Sequence, residues 1–203
     1  MSFNTMLQKA IDSHGHKCVG LVLGTRIGIA GLRKLGINDP SNMRGLIVYV
    51  EIDRCLADAI QTTTGCTIGH RRLKHVDYGK FAATFVDTSK KKAVRVSVRE
   101  EARQLVSKYS QTQTTLGDHV HLISEKEEMD QMTEAYSKLP DSELLNVREV
   151  SVIVPELDLP GRPHRKETCS VCGERIFDGR EIIMNGNVMC RSCAKGSYYA
   201  TLP

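Results

Sequence analysis

Near its C-terminus the chain reads "CSVCGERIFDGREIIMNGNVMCRSC", which is Cys169-x2-Cys172, seventeen residues, then Cys190-x2-Cys193. No other stretch constrains the fold as tightly. Two short knuckles supply four thiolates, and Zn2+ takes four soft ligands in a tetrahedron. Gly173 follows the first knuckle and allows the chain to turn beneath the metal. A segment of about forty residues buries too little apolar surface to fold alone, so a metal staple is needed. Four protein ligands also close the coordination sphere, which makes the expected role structural.

The competing reading of these cysteines is two disulfides, and it depends on compartment. The N-terminus "MSFNTMLQKAIDS" has no basic stretch followed by an apolar core, so it does not read as a secretory signal. The most apolar run, "VGLVLGTRIGIAGLRKLGI", is interrupted by Arg26, Arg33 and Lys34 and does not read as a membrane span. The expectation is a protein of the reducing cytoplasm, where seven cysteines serve as ligands or reactive thiols. A net charge of +4 is too mild to argue for nucleic acid by itself. Residues 161–203 carry seven basic and four acidic side chains, so contact with a nucleic acid or an acidic partner through the finger is left open, without being favoured.

Upstream, the chain has the size and composition of one further domain, 40% hydrophobic with no Trp. Met6, Leu7, Ala10 and Ile11 predict a short amphipathic helix ending near Gly15. A second helix is expected from Val19 to Leu35, stopped by Gly36. Gly20, Gly24 and Gly28 recur every four residues and share one face of it, which predicts close packing against another backbone. "GLIVYVEI" (45–52) predicts a strand, and "DRCLADAIQTTTG" a helix from about Asp53 to Gly65. "GKFAATFVDTSKKKAVRVSVRE" alternates on both sides of "DTSK" and predicts a β-hairpin. "EEARQLVSKYS", flanked by the polar "QTQTTLGD", and "EKEEMDQMTEAYSKL" predict two more helices, and "VREVSVIV" (147–154) a last strand. Strands and helices that do not alternate regularly favour an α+β core. The expected division is a core domain over 1–154, a proline-rich linker over 155–167 and the finger over 168–203.

Three cysteines remain: Cys18, Cys55 and Cys66. Cys18 falls at the start of the second helix and Cys55 in the first turn of the third. Helix N-termini favour thiolate, the form that binds metals and attacks electrophiles. His14 and His16 approach the same space, and Asp58, one turn after Cys55, is placed to orient a ligand. Cys66 lies at the far end of that helix, some ~16 Å from Cys55 at 1.5 Å per residue. His16, Cys18 and Cys55 are therefore the first candidates for a second metal or catalytic site, followed by His14 and then Cys66. Taken singly, each cysteine reads equally as a small buried hydrophobe. If the site is catalytic, Cys18 or Cys55 is the metal-bound thiolate or nucleophile, and His16 a ligand or proton shuttle. His70 and His75 fall in a basic loop, "GHRRLKHVDYGK", which either carries an anionic substrate or is solvated.

Four stretches together resemble the E-subunit family of formylmethanofuran dehydrogenase: "HGHKCVGLVLGTRIG", "DRCLADAIQTTTGCTIGHRRL", "DYGKFAATF" and the four-cysteine segment. The resemblance implies an α+β core, an appended treble-clef zinc finger and, as in some members, an intertwined homodimer. It also implies a core metal centre, Zn2+ or another transition metal, near His14, His16 and Cys18 with Cys55 beside it. The family has Pro after that first cysteine, where this chain has Val19; Pro pre-sets the first helical position. The enzyme in the family's name reduces CO2 on an amine carrier with a molybdenum or tungsten centre and iron–sulfur clusters. No run of closely spaced cysteines for a cluster is present, and the chain is too short for a pterin enzyme. The implied role is a metal-binding accessory in one-carbon or redox metabolism, with a protein partner in such an enzyme complex. The alternative is a zinc-finger regulator that binds nucleic acid or protein. Whether the chain is itself an enzyme does not follow from the sequence.

Overall fold

The computed structural model describes residues 1–41, 43–113 and 124–202, which divide into two compact units, Met1–Val152 and Ile153–Pro203. Unit 1 is built around one helix. Phe3–His14 forms α1 and Val19–Leu35 forms α2, with the Gly36 N–H closing α2 onto the carbonyls of Leu32 and Arg33. From the second turn to Leu32 α2 is buried almost all round, because it is enclosed by α3 (Cys55–Thr64), α5 (Glu125–Lys138) and the sheet.

The glycines explain how it fits. A Cβ on Gly24 would lie 2.6 Å from the Leu56 carbonyl oxygen and 2.7 Å from the Ala59 Cβ. One on Gly28 would lie 2.8 Å from the Thr63 methyl. The four-residue spacing thus seats α3 directly on α2, as the sequence predicts. Gly31, off that stripe, makes room for the Phe85 ring of the sheet.

The sheet has five strands in the order β2-β1-β3-β4-β5, with β1 at Leu46–Val50, β2 at Leu73–His75, β3 at Ala82–Asp87, β4 at Lys92–Val98 and β5 at Leu145–Val150. Only the β1–β2 pair is parallel. The register sets Val48 opposite Phe85 and Phe85 opposite Val94, and these belong to the core packed beneath the helices. Strand alternation puts Tyr49, Thr84 and Arg95 on the other face. There the buried Glu51 carboxylate accepts two hydrogen bonds of 2.7 Å from Arg95, whose guanidinium is held charged by that pairing.

Glu100–Gln113 forms α4 and Asp141–Leu144 a single turn, α6. Ser124 opens α5 with a capping box, its hydroxyl accepting from the Glu127 N–H while the Glu127 carboxylate accepts from the Ser124 N–H. Arg26 of α2 binds the Asp141 carboxylate and the carbonyls of Tyr136 and Ser137, which ties α5 and α6 to the central helix. Within "QTQTTLGD", residues 111–113 continue α4, and 114–118 lie outside the described residues.

Two readings of the sequence need correction. The last strand is Leu145–Val150 where 147–154 was expected, because Val150 pairs with Ala93 and β4 supplies only Lys92 beyond it. Part of the basic stretch expected to be a loop is β2, an edge strand with Leu73 buried and His75 exposed.

Unit 2 is a small module. A 3-10 turn at Glu156–Asp158 is followed by two antiparallel hairpins, β6 (Lys166–Thr168) with β7 (Arg175–Phe177) and β8 (Ile182–Met184) with β9 (Asn187–Met189). A five-residue helix, α7 (Arg191–Lys195), follows. Leu157 packs over Gly179, and Asp158 is ion-paired with Arg180. Among the described residues of this unit, the buried apolar side chains are Cys169 and Ile176.

Candidate metal centres

In unit 2 the Sγ atoms of Cys169, Cys172, Cys190 and Cys193 all lie within 4.8 Å of one another. The β6–β7 turn carries the first pair; there Gly173, at φ 76°, returns its N–H to the Cys169 carbonyl. The second pair brackets the start of α7, where Cys190 is the N-cap and its sulfur accepts from the Cys193 N–H. A knuckle, a hairpin and a short helix around four sulfurs make a treble clef.

The four thiols do not ionise alike. Backbone N–H groups of Cys172 and Cys190 point at Cys169 and pull it down to about 6. Hydrogen bonding to Cys190 pushes Cys193 up to about 12. A cation among the four sulfurs favours the thiolate form of each.

The second cluster is in unit 1. His14 ends α1, and Gly15 (φ 98°) caps it by donating to the Ile11 carbonyl. Cys18 is already the N-cap of α2, and its carbonyl accepts from Val22. So short a link folds the end of α1 back over the start of α2. It brings one ligand atom from each of His14, His16 and Cys18 within 4.8 Å of the others. The His14 and His16 ring centroids are 4.7 Å apart.

Asp58, from the first turn of α3, reaches across to the His14 Nδ1 at 2.8 Å. The other ring nitrogen, Nε2, is buried and has no hydrogen-bond partner. That is how a carboxylate orients a metal-bound imidazole: one nitrogen is fixed, the other presented. Cys55 begins α3 and lies near Cys18 but outside the group of three; Gly20 has no side chain to hold it off, and a Cβ there would lie 2.9 Å from that of Cys55.

Two sequence expectations change here. The helix N-terminus does not lower the Cys55 thiol: burial pushes it up first, and the Cys18 sulfur adds to that. Cys66 is not brought to the cluster; it sits past the far end of α3, fully buried, near the Leu46 carbonyl at 3.6 Å. Burial raises its thiol too. His70 is engaged locally with the Thr67 hydroxyl at 2.9 Å.

Both clusters fall within regions shared with known proteins. Residues 13–146 match the family model described as "FmdE, Molybdenum formylmethanofuran dehydrogenase operon". The chain belongs to the FmdE family. Residues 164–199 match the prokaryotic dksA/traR C4-type zinc finger, so this FmdE protein binds metal, with the four-cysteine cluster supporting structural zinc. A relative named "Probable S-adenosyl-L-methionine-binding protein", from Archaeoglobus fulgidus, is 30% identical over 97% of the chain. The chain spans 54% of that relative's length. The crystal structure of a tungsten formylmethanofuran dehydrogenase FmdE-like protein from Syntrophus aciditrophicus has the same fold. It has a TM-score of 0.64 and 22% identity, covering 98% of this chain and 96% of that one. No helix among the described residues is long and apolar enough to cross a membrane.

Proposed function

We propose that this FmdE-family chain is a two-site metalloprotein. Cys169, Cys172, Cys190 and Cys193 hold a structural zinc. His14, His16 and Cys18 hold a second ion, Zn2+ or another transition metal, and Cys55 stands beside them outside that ligand set. The observation that carries the second site is the His14 ring, fixed by Asp58 on one side and carrying a buried, unpartnered nitrogen on the other. A buried polar atom without a partner costs roughly 1–3 kcal/mol, which a cation beside it removes.

Three protein ligands leave a coordination position open, unlike the four-sulfur site, and an ion held this way supplies a Lewis acid. The chain's own contribution is placement. Asp58 sets the His14 tautomer, the short α1–α2 link sets the spacing, and Gly20 admits Cys55. The family's name supports an accessory role in one-carbon or redox metabolism, with a partner in an enzyme complex of that kind. A homodimer and a cytoplasmic setting belong to the same proposal; the seven unpaired cysteines suit a reducing compartment.

Titration of the metal-free protein with Co2+ tests the reading. Two spectroscopically distinct tetrahedral sites are expected, one of four sulfurs and one of mixed nitrogen and sulfur. Cys18→Ser should remove only the mixed one. A single all-sulfur site unaffected by Cys18→Ser refutes the second centre. S-adenosyl-L-methionine, the ligand in the Archaeoglobus relative's name, should not shift the melting temperature. A saturable shift with it, and none with core metal, would favour a nucleoside-binding protein instead.

A further inference from the structure

Beside the core cluster is a cleft that the metal reading does not use. Val19, the residue after Cys18, and Leu23 contribute to it, together with the two residues that lead into β3, the end of β4, the first turn of α4 and the second half of α5. Its volume is about 540 Å³. Small-molecule sites fall at roughly 300–1,000 Å³, so it has room for a ligand larger than an ion.

The lining combines two chemistries. Leu23, Met132 and Tyr136 supply apolar surface, and Lys80, Arg95, Arg99 and Arg103 supply positive charge. Against those four cations stand Glu100 in the lining and Glu51, which occupies Arg95. With Arg95 taken by Glu51, Lys80, Arg99 and Arg103 face the single carboxylate of Glu100 and leave a surplus of two positive charges.

The scaffold behind them is hydrogen-bonded. The Glu51 carbonyl accepts the N–H groups of Tyr78 and Lys80 at 3.2 and 3.0 Å, which fixes the turn that presents Lys80. Arg99 donates its N–H to the Leu144 carbonyl at 2.9 Å. Its Nε donates to the Leu145 carbonyl at 3.0 Å, one of the five guanidinium donors. A concave, partly apolar site with an excess of positive charge concentrates anions.

We propose that this cleft binds a small organic anion, its carboxylate or phosphate group held by Arg99, Arg103 and Lys80 and its apolar part against Leu23 and Met132. Arginine forks match either oxyanion with paired hydrogen bonds. The bound molecule lies beside the core cluster. That adjacency gains chemical meaning only from the metal reading above, whereas anion binding does not depend on it.

Calorimetric titration of the full chain with citrate, and separately with inorganic pyrophosphate, tests the proposal. Saturable binding of at least one probe is expected, and the tighter one names the headgroup. The double variant Lys80→Gln/Arg103→Gln changes two exposed side chains. It should weaken binding by about tenfold or more, since each lost charged hydrogen bond matters on that scale. Lys9→Gln, on α1, should leave the affinity unchanged. Cys18→Ser should also leave it unchanged, so failure of the metal reading and failure of this one are separable. No saturable binding of either probe, or equal weakening by Lys9→Gln, overturns the proposal. Loss on Cys18→Ser with retention in the double variant also overturns it, because the anion would then be bound by the metal.

Discussion

The two clusters draw on the same side-chain chemistry and depend on their surroundings in opposite ways. In Ile153–Pro203 the sulfurs come from a short stretch of chain, and among the described residues the buried apolar side chains around them are Cys169 and Ile176. The ligands there hold the fold. In Met1–Val152 the His14, His16 and Cys18 cluster is a small feature on a large core, positioned by α1, α2 and α3. The fold there holds the candidate ligands. A metal staple and a metal-binding site can thus be told apart by what remains when the cation is taken away.

That contrast breaks most visibly under a strong chelator or in Cys172→Ser. Unit 2 should unfold, since structural zinc in such small modules is worth about 10–16 kcal/mol, while unit 1 keeps its amide exchange protection. A module that stays dispersed by NMR without zinc would show that its hairpins need no staple. Next in size is Gly24→Ala. Its Cβ would meet the Leu56 carbonyl oxygen at 2.6 Å, so α2 and α3 must separate. Overpacking of this kind costs about 1–3 kcal/mol. The melting temperature of unit 1 should fall, core metal should be lost with it, and the four-cysteine zinc should stay.

Asp58→Asn sharpens the comparison without unfolding anything, because the carboxylate is exposed and its hydrogen bond goes to His14. Core-metal affinity should drop roughly 10–100-fold, the usual effect of removing a carboxylate behind a ligating histidine. Equal loss from both sites would mean the effect is general destabilisation. The smallest effect is expected at alkaline pH. Cys66 is raised by burial in the folded chain, so its contribution is complete below the ordinary thiol value of 9.0 and declines as pH rises above it. The urea midpoint of unit 1 should fall over that range, and Cys66→Val should flatten the slope.

Local signals carried much of this fold. Gly15, Gly36 and Gly65 end their helices where the sequence places them, each in the left-handed region. The Gly20, Gly24, Gly28 stripe foretells the α2–α3 contact because a four-residue period is a property of one helix face. β2 was illegible: three residues with one buried side chain carry no period, and the parallel pairing with β1 is not local. The end of β5 was misread because it is set by the length of β4, not by its own residues.

The site divides the same way. His14, His16 and Cys18 are neighbours in sequence, so their convergence was readable, as was the nearness of Asp58 to them. Which histidine Asp58 serves was not readable, since that contact spans 44 positions. Lys80, Arg99 and Arg103 have no motif in common and meet only because the hairpin returns beside the start of α4.

The most direct test of this account is metal content per chain, by elemental mass spectrometry, in the unaltered chain and in two variants. We expect two equivalents in the native chain. Cys18→Ser should lose the core equivalent with its fold intact, and Cys172→Ser should lose the other together with the fold of unit 2. A single equivalent that Cys18→Ser leaves in place would contradict the account and make His14, His16 and Cys18 an ordinary helix junction.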